Sequence, residues 1–160
     1  MAFLKRRMFN VWLIASGQSR ADLEEALRGH ALGHNLTVIP DETAFDVLAR
    51  DIDRDADRFP NLLMYLVRDS AQAPPDFLHK LKASADFRHV PVIVFHTGRI
   101  VPDIKHLYSL GAASVIRVPI KFHGLVSVMR TIEAYWFNVA SPPPIDGPLR
   151  TAWARHVQPL

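Results

Sequence analysis

The sequence contains no cysteine in 160 residues, which excludes disulfides, thiolate nucleophiles and cysteine-held metals. It has no apolar run approaching the ~18 residues of a membrane helix, so no membrane partner is expected. Glycine is scarce, at seven residues. Ala15-Ser16-Gly17-Gln18 supplies a single glycine, short of a GxGxxG phosphate loop. Ser16, Ser70 and Ser84 lack the flanking pattern of a nucleophile elbow, and enzymatic activity is not expected. Eight histidines are present but no HExxH. His30 and His34 straddle Gly33, and His89 and His96 flank opposite ends of one apolar run. His79, His106, His123 and His156 read as surface residues, so neither a metal nor a cofactor is expected. Charge of one sign is also lacking: the net charge is +3 and scattered. Lys5-Arg6-Arg7 is the one tight basic cluster and reads as a solvated tail. The 23 residues after Phe137 are too few for a DNA-binding module, and no nucleic-acid partner is expected.

What is present is a regular alternation. The start combines charges with a short apolar stretch, as signal peptides do. Val11–Ile14 is too short for an h-region of ~7–15 residues and reads as a buried strand, which implies a cytoplasmic protein. Further strands are expected at Leu36–Ile39, Leu62–Val67, Val90–Phe95 and Ala113–Val118. Helices are expected after a cap at Ser19, then over Thr43–Arg50, Pro74–Ala83, Ile100–Leu110 and Phe122–Phe137. Their inward stripes include Leu23, Ala26, Leu27 and His30; Phe77, Leu78 and Leu81; and Leu125, Met129 and Ile132. Five apolar strands alternating with five helices imply an α/β fold: a doubly wound, flavodoxin-like parallel sheet with strand order 2-1-3-4-5. Residues 1–9 read as a tail, 10–140 as the domain, and 141–160 as a proline-rich C-terminal tail.

Three stretches carry a resemblance: Leu78 to Phe95, Asp103 to Ser114, and Thr131 to Trp136 followed by prolines. In this order and spacing they resemble the CheY-like receivers of two-component signalling, and especially the small single-domain receivers that partner bacterial phytochromes. The resemblance covers roughly residues 10 to 143. It implies two acids after the first strand for Mg²⁺, a phosphate-accepting aspartate ending the third, a Thr or Ser after the fourth, and a Lys-Pro after the fifth. Three phosphoryl oxygens need a metal and a cation, and the nucleophile must be a carboxylate.

This sequence departs at each of those positions. The acid pair maps to Ala15 and Ser16, the aspartate to Leu66, the Thr or Ser to His96 with Thr97 next, and the lysine to Val118 before Pro119. The aromatic switch position maps to Val115. Ala15, Ser16, Leu66, His96 and Val118 are therefore expected to form a degenerate phosphoacceptor pocket, with Leu66 and Val118 as apolar plugs. Related receivers meet partners through the fourth helix, fifth strand and fifth helix. The run Tyr135-Trp136-Phe137 cannot face one side, because adjacent helical residues lie ~100° apart. Tyr108, Val115, Tyr135, Trp136 and Phe137 are the expected interface. The expectation is a non-phosphorylatable receiver acting by protein contact: a homodimer, or a partner of a sensor histidine kinase or another receiver. The alternatives are a small ligand at the strand carboxyl ends and an atypical active receiver using Asp69.

Overall fold

A computed structural model describes residues 9–29, 35–52, 57–67, 73–99 and 101–138. Residues 1–8 of the expected N-terminal tail, the whole C-terminal tail, Asp69, His30 and the side chain of Phe137 lie outside the described residues, whereas Phe9, expected in the tail, packs half-buried against the core. Strands β1 (Val11–Ile14), β2 (Leu36–Ile39), β3 (Leu62–Leu66), β4 (Val92–His96) and β5 (Ser114–Arg117) alternate with helices α1 (Gly17–Arg28), α2 (Glu42–Asp51), α3 (Ala73–Ala83), α4 (Ile104–Ser109) and α5 (Phe122–Asn138). All pairings are parallel, in the order β2-β1-β3-β4-β5.

β1, β3 and β4 are buried throughout because helices cover both faces, which is why they read as unbroken apolar runs. Side chains alternate across the sheet, so each strand serves two cores. Val11, Leu13, Leu62, Met64, Ile93 and Phe95 meet Leu23 and Leu27 of α1 and Leu125 and Met129 of α5. Trp12, Ile14, Leu63, Tyr65, Val92 and Val94 meet Phe45 of α2, Phe77 and Leu81 of α3, and Leu107 of α4. The second core is aromatic. Phe45 sits 5.2 Å from both Phe77 and Phe87, Trp12 lies 5.9 Å from Phe45, and Tyr65 stacks on Phe77 at 4.8 Å. Such pairs add about 0.5–1.5 kcal/mol each beyond their burial.

Buried polar groups tie down the other end of the sheet. The Asn10 backbone N–H donates to Asn61 Oδ1 at 2.8 Å. Asn10 Nδ2 donates to the carbonyls of Asp57 and Phe59, and Trp12 Nε1 donates to the Arg58 carbonyl at 3.1 Å. These bonds hold the segment entering β3 against the start of β1.

Three boundaries differ from expectation by more than one residue. α1 starts at Gly17, not after Ser19, because Gly17 takes φ +77 and lets the chain turn directly after β1. β4 starts after Pro91, which has no N–H to donate to a ladder, and runs on to include His96. α4 starts at Ile104 rather than Ile100: Pro102 disfavours helix at Val101, and the Asp103 carboxylate accepts from His106 N to cap the helix.

Candidate functional site

The carboxyl ends of the strands are where this topology places a site. Ala15 follows β1, is 3% exposed, and its N–H donates to the Ile39 carbonyl. Leu66 is the last residue of β3 and 6% exposed. Val118 follows β5 and donates to the His96 carbonyl. Ala15, Leu66 and Val118 join one apolar cluster with Phe95, Leu125 and Met129. These three expected pocket residues come together as core.

The other two do not join them. Ser16 is exposed at the N-cap of α1, and its side chain makes no capping hydrogen bond. His96 follows Phe95, so alternation turns it to the opposite face of the sheet from Phe95, and Phe95 shares its face with Leu66. By that alternation His96 faces away from the apolar cluster that holds Leu66. In register, His96 stands beside Arg117 of β5. The imidazole is 5% exposed, and its Nδ1 has no hydrogen-bond partner among the described residues. Burial, and then the Arg117 guanidinium, lower its pKa from the ordinary 6.5. The same guanidinium lies across Gly98, where a Cβ would approach Arg117 Nε to 2.5 Å. Gly98, at φ +86, is therefore required both by its backbone and by the arginine above it.

The Mg²⁺ that the resemblance implies needs carboxylates after β1 and at the end of β3. Ala15, Ser16 and Leu66 provide no carboxylate there, and these residues do not fit such an ion. Among nearby acids, Asp41 accepts from Ala44 N as the cap of α2, and Glu42 accepts from the Tyr65 hydroxyl. Among the described residues, no three His, Asp or Glu side chains gather as a metal site would require, and no helix is long and apolar enough to cross a membrane.

The expected interface residues divide as well. Tyr108 is 46% exposed, and its hydroxyl accepts from the Val115 N–H of the edge strand β5 at 3.0 Å. Val115 packs, half-buried, against the aromatic core. Tyr135 is 51% exposed and meets the half-buried Trp136 edge-on at 5.2 Å. Sequence reasoning missed four further exposed apolar residues: Val101 before α4 and Ile104 at its start, and Ile120 before α5 and Phe122 at its start. Ile120 is 93% exposed. An apolar residue trapped between Pro119 and Lys121 was the available signal.

No protein-family model and no curated protein matches the sequence. Solved structures do. The phosphorylated cyanobacterial phytochrome response regulator RcpA is 22% identical, with a TM-score of 0.71, over 85% of this chain and 99% of its own. The response regulator RPA3017 in red light signalling of R. palustris is 21% identical, with a TM-score of 0.70, over 85% and 99%. A response regulator receiver domain from Rhodospirillum rubrum is 22% identical, with a TM-score of 0.68, over 86% and 99%. With five parallel strands in the order 2-1-3-4-5 and these neighbours, the chain has the receiver fold of response regulators.

Proposed function

We propose that this chain is a receiver of two-component signalling that takes no phosphoryl group and acts by binding proteins rather than as an enzyme. One observation carries the reading: Ala15, Leu66 and Val118 are fused into a single apolar cluster. At these places the resemblance calls for a metal-binding acid, the phosphate acceptor and a lysine. A cluster of carboxylates without metal or lysine would repel itself, and hydrocarbon removes that cost. Leu66 has no oxygen with which to attack phosphorus, and the groups that would orient a phosphoryl donor are replaced with it.

The partner surface is α4, β5 and α5. Tyr108, Tyr135 and Ile104 offer exposed apolar area on these elements, which favours pairing with a second copy. A sensor histidine kinase or another receiver is the other class of partner, which the chain would occupy without accepting phosphate. A stable interface buries upwards of ~1,000 Å² in total, with aromatic side chains dominating its energy.

The test is incubation with acetyl phosphate, or with beryllofluoride, in the presence of Mg²⁺. No covalent adduct is expected by intact mass, and no Mg²⁺-dependent NMR shifts at residues 15, 66 and 96. A stoichiometric adduct overturns the reading and points to Asp69. Light scattering across a dilution series tests pairing. A dimer is expected, weakened by Tyr108→Ala and by Tyr135→Ala; a monomer at every concentration removes self-association.

A further inference from the structure

A second feature lies away from the phosphoacceptor end. Helices α2 and α3, with the segment that leads from α3 to β4, line a cleft of about 520 Å³. This lies within the roughly 300–1,000 Å³ of small-molecule sites. Its floor is Phe45, Phe77 and Phe87, each buried. The three rings are fixed by contacts at 5.2 Å, with Trp12 closing the cluster behind Phe45 and Phe87. Each ring is only 3–6% exposed, so the rings form a rigid apolar floor that a flat ring can meet edge-on.

The rim is charged, and most of that charge is already used. Asp46 and Lys80 pair across the cleft at 2.7 Å. Asp86 has a partner of its own, while its Oδ1 is buried without a hydrogen bond among the described residues. Arg50 is exposed on the rim and has no hydrogen-bond or ion-pair partner among the described residues. A guanidinium with no partner among the described residues, on the rim of a cleft lined by aromatic rings, favours one planar anion attached to a ring. Its fork matches a carboxylate with two parallel hydrogen bonds. A phosphate monoester would bring about two charges to this one cation, so a carboxylate is the better complement.

We propose that the cleft between α2 and α3 binds a small aromatic carboxylate, with the ring on Phe45, Phe77 and Phe87 and the carboxylate on Arg50. Binding there would bridge α2 to α3 and so reach the connection entering β4. The site is independent of whether the chain accepts phosphate.

The probe is 2-naphthoate, titrated into the protein and followed by methyl NMR. Ile52 and Leu81 line the cleft and should show saturable ring-current shifts. Arg50→Gln should weaken 2-naphthoate about tenfold or more, because a charge-assisted bidentate contact is lost. The neutral 2-naphthol should bind parent and variant alike. Ala49→Leu, which puts methyl groups into the cleft, should abolish the shifts of both probes. Three results would each overturn the proposal: no saturable shift at millimolar probe, saturable shifts that spare Ile52 and Leu81, or equal affinity of parent and Arg50→Gln for 2-naphthoate.

Discussion

Replacing Leu66 by aspartate tests whether restoring one catalytic atom restores a site. Leu66 is 6% exposed and shares its cluster with Ala15, Phe95 and Val118. Emptying a buried leucine position costs about 2–5 kcal/mol. The new carboxylate would have no metal and no lysine, so burial would push its pKa up. A hundredfold gain in proton affinity would add roughly 2.7 kcal/mol to the cost at neutral pH. Even with the smallest packing loss the sum is about 5 kcal/mol, against a total stability of roughly 5–15 kcal/mol for a domain. At about 3–5 °C per kcal/mol for a body of this size, the melting temperature should fall by roughly 15–25 °C at pH 7. The sign of the pH dependence follows. With its folded pKa raised, the native variant holds a proton that the unfolded chain releases, so part of the loss should return as the pH falls toward the unfolded value of about 3.9. Leu66→Asn supplies the packing loss without the titration and should show no such recovery. Calorimetry at pH 7 and at lower pH, with and without Mg²⁺, decides it. An unchanged melting temperature at pH 7 would mean that position 66 is solvated. A Mg²⁺-dependent rise would mean that other carboxylates stand beside it. Either result refutes the reading of the cluster as a closed apolar plug.

Asn10→Ala removes the donors to the Asp57 and Phe59 carbonyls and should cost about 2–4 kcal/mol, read as a lower urea midpoint with unchanged slope. His96 is the titration test. Its folded pKa is lowered, by burial first and Arg117 second, so the unfolded chain takes up the proton more readily and stability should fall as the pH drops through the ordinary 6.5. His96→Gln should flatten that fall between about pH 5 and pH 7, and equal slopes in melts of parent and variant would contradict it. Tyr108→Phe leaves the Val115 N–H without its acceptor, so amide exchange at Val115 should accelerate while global stability drops by only about 1 kcal/mol.

The strands could be read from the sequence because their burial has no periodicity to hide: Val11–Ile14 and Leu62–Leu66 are covered on both faces and are apolar at every position. Helix stripes could be read where a face meets the sheet, as with Leu23, Ala26 and Leu27. Position along the chain does not reveal which sheet face a strand-end residue takes once the strand grows by one. Extending β4 through His96 is enough to separate His96 from Leu66, although the sequence places both in one pocket. Asn10 and Asn61 read as polar flanks of strands, since the bonds that matter join residues 51 apart. The aromatic core was equally hidden: Trp12, Phe45, Phe77 and Phe87 lie on four separate segments, and only the parallel topology brings their rings together.

The strand order bears on how the chain emerges from the ribosome. β3 takes its first partner, β1, from residues already made, but its second, β4, lies some distance ahead, pairing Leu63 with Val92 and Leu66 with Phe95. Until that segment is released, Leu-Leu-Met-Tyr-Leu has one open edge, with no charge or proline to blunt it. Such a strand matches the composition that stacks between chains. Nascent chains that have released β3 from the ribosome but not yet Val92–His96 should therefore be an especially sticky species, and slowing translation at that stage would raise the aggregated fraction during synthesis while leaving the finished fold untouched.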